Sequence, residues 1–341
     1  MFVALDVRRA RAFRWATLGA LAVVWMPCLS AAVDAVSPAA PATGSGREVE
    51  QASRRYRADA VITFLGIPIY SRQGVGSGYA IVEQWREGSS RVMSLQFAAG
   101  SLPQRAAGLN RLGFLQELVK WDGSGAVDVG YFGFMTTSKE ESLEEGRKAL
   151  AEGSRGAGLY KVVVGGIERG QARSRTLDLT GGGAAGWADW SQLLPALRGQ
   201  VRETRLQEMP ESVQRDVPQG VSSFLSTLVR EFHGEAGKAE SHFVYGKGRH
   251  RLEVERSPDP KMGRSLAARS LARDPERVMR LQGAVRDTRT GKRTKFRVWF
   301  EAGGSAVLPL RFELQPRSFL QLAFEYDPQL DSPAFTFTAR R

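Results

Sequence analysis

Apolar and polar positions alternate with period two over much of the chain, the mark of half-buried strands. From Arg57, Ala60, Ile62 and Phe64 alternate with Val61, Thr63 and Leu65 until Gly66 and Pro68 break the run. Gly74 to Val82 follows, with Gly74, Gly76, Gly78 and Ala80 on one face and Val75, Ser77, Tyr79 and Ile81 on the other. Glycines at period two inside a strand mark a close approach by another backbone, a helix or a ligand, with a packed helix favoured over a ligand. Arg91 to Ala99, Val127 to Met135, Tyr160 to Val164 and Arg173 to Leu179 read as further strands.

Other stretches carry the helical period. Leu112, Leu115 and Val119, with Phe114 and Leu118 beside them, predict a short amphipathic helix after Pro103 that ends near Trp121-Asp122-Gly123. Ser138 with Glu141 is a capping-box signature for a polar surface helix reaching Ala151. From Pro218 to Phe232, the residues Val221, Phe224, Leu225, Leu228, Val229 and Phe232 keep one stripe, the clearest helix in the chain. Met262 to Met279 predicts another, interrupted at Pro275, so residues 187–280 read as a helical middle section.

The last eighty residues read as an antiparallel meander of Leu281 to Asp287, Lys295 to Glu301, Val307 to Gln315 and Phe319 to Tyr326. Leu308, Leu310, Phe312 and Leu314 share one face of the third strand, and Leu320, Leu322, Phe324 and Tyr326 repeat the arrangement in the fourth. Beside the bare face of Gly74, Gly76 and Gly78, these residues are the candidates for facing an apolar ligand. A closed core is the alternative.

Composition adds a destination. Of 341 residues, 42% are hydrophobic and 25% charged, enough apolar material for a sizeable core. Arg8, Arg9, Arg11 and Arg14 precede an apolar run from Trp15 to Met26 and the small residues Ser30, Ala31 and Ala32. This is the layout of a secretory signal peptide over residues 1–32, cut before Val33, with an uncleaved membrane anchor as the alternative. An Ala, Pro, Ser and Gly-rich linker over 33–55 and a single domain over 56–341 would follow. Cys28, the only cysteine, falls in the segment expected to be removed, so the exported chain would hold no disulfide, no thiolate-bound metal and no Cys nucleophile. The mature form is expected in the periplasm or outside the cell and not to span a membrane.

Charge is concentrated at one end: residues 33–260 hold 28 basic and 27 acidic side chains, residues 261–341 hold 16 and 8. Arg286, Arg297, Arg311 and Arg317 fall on the turns and wet faces of the meander, where they are either solvated or meet an anionic envelope polymer. Export disfavours nucleic acid as partner.

No motif names a reaction. His233, His242 and His250 lie too far apart for one turn to present a metal site, and they read as scattered surface residues. Gly76-Ser77-Gly78 lacks the outer glycines of a nucleophile elbow, and no glycine loop has dinucleotide or phosphate-binding spacing, so no cofactor is implied. Asp128 with Glu117, or Glu313 with Glu325, are the carboxylate pairs an acid–base hydrolase would need. Trp187 and Trp190 would pack a helix or stack on a sugar.

Phe296-Arg297-Val298-Trp299-Phe300, followed by Val307-Leu308-Pro309-Leu310-Arg311-Phe312, resembles exported bacterial β-rich domains of unknown function, the domain of unknown function 3108 group. Tyr56 to Val82, with Gly66-Ile67-Pro68, is similar to the opening of the same group. The resemblance covers the two ends of the mature chain and carries over no functional residue. Through the group's relation to curved half-barrel lipid and lipoprotein carriers, it implies a long antiparallel sheet wrapped around helices.

The expectation is therefore an α+β fold, with a half-barrel-like sheet curling around the Pro218 to Phe232 helix and ending in the four-stranded meander. Its expected function is non-catalytic binding or carriage of a lipid or other apolar small molecule. An envelope hydrolase and a polyanion-binding module are the alternatives.

Overall fold

The computed structural model describes residues 49–64, 67–101, 105–106, 112–121, 127–136, 158–181, 211–218, 220–303, 307–317 and 319–331. They form one 14-stranded antiparallel sheet. Its strands are β1 (Glu50–Phe64), β2 (Ile67–Glu87), β3 (Ser90–Ser101), β4 (Leu112–Trp121), β5 (Val127–Thr136), β6 (Gly158–Glu168), β7 (Gln171–Gly181) and β8 (Ser212–Gln214). After helix α1 (Phe224–Phe232) come β9 (Gly237–Tyr245), β10 (Gly248–Pro258), helix α2 (Pro260–Ala267), β11 (Val278–Asp287), β12 (Arg293–Glu301), β13 (Pro309–Arg317) and β14 (Leu320–Tyr326).

The spatial order is β8-β7-β6-β5-β4-β3-β2-β1-β14-β13-β12-β11-β10-β9, so all pairs but one are sequence neighbours, and the exception, β1 with β14, joins the first strand to the last. The meander falls where expected. A balanced α+β fold does not: the protein is mostly β, with two helices among the described residues.

Two segments account for the difference. Leu112–Trp121, expected as a helix, is strand β4. Leu115, Glu117 and Val119 are buried while Gln116 and Lys120 are not, so the true period is two; a carboxylate on the buried face hides it. Likewise β9 and β10 form a hairpin inside the expected helical middle. The buried positions of β10 are His250, Leu252, Val254 and Arg256, and the two polar ends of that series blur the alternation. The Met262 to Met279 helix reduces to α2 plus a single 3₁₀ turn at Pro275–Arg277, after which Val278 starts a strand. β1 begins at Glu50, inside the expected linker. The segment 1–48, the Ser138 helix and Trp187 with Trp190 lie outside the described residues.

The sheet curls until its two end strands meet. Gln214 Nε2 of β8 donates to the Gly246 carbonyl in the β9–β10 turn at 3.3 Å, and Arg249 Nη2 of β10 donates to the carbonyls of Arg215 and Asp216, just after β8, at 3.1 and 3.2 Å. Val244 N of β9 donates to Ser222 O at 3.0 Å, a single bridge that brings in the residues just before α1. At nine residues α1 is too short to be stable alone; it is held inside the curl, where Phe232 stacks near Phe300 with centroids 4.7 Å apart. α2 covers the opposite face of the sheet, over a second small core of Leu266, Val278, Trp299 and Leu310.

Candidate functional site

Between α1 and the concave sheet face lies a cavity of about 180 Å³. α1 contributes Leu228 and Val229, the sheet contributes Leu95 and Phe97 from β3, and the meander contributes Phe296 and Phe312. The wall is almost wholly apolar.

The position of α1, which forms one side of this space, is set by Glu117. Its carboxylate reaches up from β4 to accept hydrogen bonds from the backbone N–H of Leu225 at 2.7 Å and of Ser226 at 2.9 Å. It thus satisfies first-turn amides that the helix cannot satisfy itself, since the Ser223 side chain does not cap them. Glu117 is fully buried; burial pushes its carboxyl up, against bonds from Ser223, Leu225 and Ser226 that favour the charged form. Neither partner expected for Glu117 or Glu313 as an acid–base pair is arranged for it. Asp128 is an exposed residue in register with Lys120, and Glu313 and Glu325 grip Arg311 from two sides at 2.7 and 2.8 Å.

The candidate ligand-facing residues divide. Leu308, Phe312 and Leu314 line the cavity. Leu310 does not, because β13 carries one extra residue against β12, between the pairs Trp299↔Arg311 and Phe300↔Pro309. That bulge turns Leu310 to the outer face beneath α2. Leu320, Leu322 and Phe324 belong to the inner core behind the cavity, with Phe324 stacked on Phe312 at 4.5 Å. Tyr326 lies half-buried at its margin with the Arg54 guanidinium over its ring.

Gly76 and Gly78 do face inward, in register with Ala58 and Tyr56, but their space is taken by neither helix nor ligand. A Cβ at Gly76 would sit 2.3 Å from Gly100 O and one at Gly78 2.6 Å from Ala98 O, the backbone of β3. These glycines let the sheet coil tightly. Gly74 has φ +60°, inside a bulge of β2 opposite Asp59, and its N–H donates to Asp59 Oδ1 at 2.7 Å.

The basic face of the meander is largely neutralised. Arg297 pairs with Glu313 at 2.7 Å, Arg293 with Glu253 at 3.3 Å, and Arg269 and Arg311 both with Glu325. Arg286 is exposed, and Arg317 closes β13, its side chain outside the described part. Of the histidines, His233 and His242 are exposed while His250 is fully buried, stacked on Phe243 at 4.9 Å.

The α1 residues and Leu95 and Phe97 were missed as cavity residues. The α1 stripe was legible, yet a stripe says only that a helix is covered, not that its cover leaves room.

Fold and site together define a barrel-like, all-antiparallel β protein with an internal helix and an apolar cavity. No family model matches the chain, and no curated protein matches it. Among solved structures it is similar to a "Beta-barrel-like Protein of Domain of Unknown Function DUF1849 from Brucella abortus", at 11% identity and a TM-score of 0.35, over 81% of this chain and 95% of that one. That group is a different one from the 3108 group expected from the terminal motifs.

Proposed function

We propose that the protein is a non-catalytic binding or carrier protein of the cell envelope that takes the apolar part of a small molecule between α1 and the sheet. The observation that carries this reading is the apolar space of about 180 Å³ left between Leu228, Val229 and the concave face. Its size limits the ligand. Dedicated ligand pockets run from roughly 300 Å³ upward, whereas an apolar cavity of about 150 Å³ holds one benzene-sized molecule. The cavity suits a ring or a short alkyl segment, and a long acyl chain would need α1 to move. The basic, apolar and small-residue order of residues 1–32 supports export.

Native mass spectrometry of the purified protein, with calorimetric titration of a fatty-acid series from hexanoate to palmitate, tests this reading. Short chains bind the wild type, and Leu228→Trp, which fills the space, loses binding without losing thermal stability. A wild type that binds no member of the series and retains nothing on purification overturns it, leaving the face as core.

A further inference from the structure

Among the described residues, the exposed large hydrophobic side chains include Ile69, Tyr70 and Phe319, which gather at one place. Ile69 and Tyr70 lie near the tip of the β1–β2 hairpin, and Phe319 is in the β13–β14 turn beside it, its carbonyl accepting from Thr63 N at 2.8 Å. The hairpin also stands clear of the sheet. β3 ends opposite Gly76 and β14 starts opposite Ile62, the residue paired with Tyr70, so among the described residues the ribbon from there to the Phe64↔Ile67 pair has no strand on either side. At about 3.3 Å per residue it projects roughly 7 Å, within the roughly 5–10 Å to which interfacial apolar groups enter a lipid headgroup layer.

The antiparallel order places the β11–β12 turn at the same end, with β14 and β13 between it and β1. At strand spacings of about 4.8 Å, β12 lies roughly 15 Å from the hairpin. Arg286, Arg289 and Lys295 are exposed there, and Asp287, the acidic residue in that turn, is turned inward to accept from Arg289 N and Thr290 N. An apolar prow beside a cationic rim is complementary to an anionic bilayer, which offers hydrocarbon below a layer of negative headgroups. The two contributions suit reversible attachment better than either alone.

We infer that this end of the barrel docks on anionic lipid, with Ile69, Tyr70 and Phe319 entering the interface and Arg286, Arg289 and Lys295 meeting the headgroups. The inference stands apart from the cavity: Leu228→Trp leaves it intact.

Cosedimentation of the full chain with vesicles of phosphatidylcholine, alone or with one-third phosphatidylglycerol, tests it. Wild type binds the anionic vesicles, and binding weakens with salt as the Debye length falls from about 10 Å at 0.1 M to about 3 Å at 1 M. The Ile69→Ser, Tyr70→Ser, Phe319→Ser triple variant and the Arg286→Ala, Arg289→Ala, Lys295→Ala triple variant each bind on the order of tenfold or more weakly. All six positions are exposed, so both variants keep the wild-type melting temperature. No binding to anionic vesicles, or equal binding by wild type and both variants, overturns the inference. So does a loss of self-association in the apolar variant with vesicle binding unchanged, since the patch would then join two copies of the chain.

Discussion

Tyr131 of β5 and Tyr245 of β9 meet with ring centroids 4.9 Å apart, although their strands are far apart in the sheet order. Each hydroxyl lies over a glycine. A Cβ at Gly165 would stand 2.5 Å from the Tyr131 hydroxyl, and one at Gly133 2.6 Å from that of Tyr245. The Tyr131 hydroxyl also accepts from Gly246 N at 3.2 Å. Two tyrosines and two missing side chains thus let the far end of the C-terminal half close against the N-terminal half.

Gly165→Ala therefore destabilises the fold. The new methyl meets Tyr131 and also the Arg173 carbonyl at 2.7 Å, which is backbone and cannot swing away. Overpacking of this kind costs about 1–3 kcal/mol. Urea unfolding reads it as a lower midpoint at unchanged slope. Gly130→Ala, where nothing lies within 4 Å, is the control.

Glu117→Gln keeps the shape but leaves one of two helix amides facing an NH₂ group. An unmet buried donor costs about 1–3 kcal/mol. The pH dependence has a defined sign. Burial raises the folded value of this carboxyl, so its contribution to stability is full below the unfolded value near 4.5 and is lost as pH rises through the folded one. Denaturant midpoints measured from pH 4 upward show that decline in wild type and a flatter profile in the variant.

His250 acts in the opposite direction. Burial holds its imidazole below the usual 6.5, against Asp287 and the Tyr245 backbone, which favour the charged form. Its contribution is full above 6.5 and is lost as pH falls through the lowered folded value. His250→Phe, which retains an aromatic ring against Phe243, removes this acid-side slope, read by melting temperature between pH 7 and pH 4.

Arg311 and Arg297 separate on mutation. Glu313 and Glu325 are 8% and 10% exposed, and Arg311, at 25%, touches both. Arg311→Met leaves two nearly buried carboxylates with only their outer partners and costs about 1–3 kcal/mol. Arg297 is 48% exposed and pairs with Glu313 alone, so Arg297→Ala costs at most about 1 kcal/mol, less in high salt. Guanidine unfolding would blur that difference by screening, so urea is the denaturant to use.

What the sequence revealed depended on which side chains occupied the buried positions. The meander was legible because Phe312, Leu314, Leu320, Leu322 and Phe324 are apolar at every inward step and turns separate them. β4 was not, since Glu117 holds an inward position for the sake of α1, 108 residues away in the chain. His250 and Arg256 did the same to β10; Arg256 is buried because its Nε donates to the Glu231 carbonyl on α1 at 2.8 Å. Leu310 kept the alternation on paper while the bulge beside it reversed its direction. The cavity had no sequence signature, because it is a mismatch between the width of the curl and the side chains of α1.

The curl has one joint unlike the others. Thirteen neighbouring pairs of strands are held by ladders, but among the described residues β8 and the β9–β10 hairpin are connected through Gln214, through Arg249 on the carbonyls of Arg215 and Asp216, and through a single bridge at Ser222, with the two tyrosines packed behind. The ring is closed by a latch rather than a weld. Local opening follows the path with the fewest bonds to break, and here that path runs beside the root of α1. Thermal fluctuation of the whole molecule is thereby directed to the one place where parting the wall exposes the inner helix and the space it guards, with the remaining strands acting as a stiff frame.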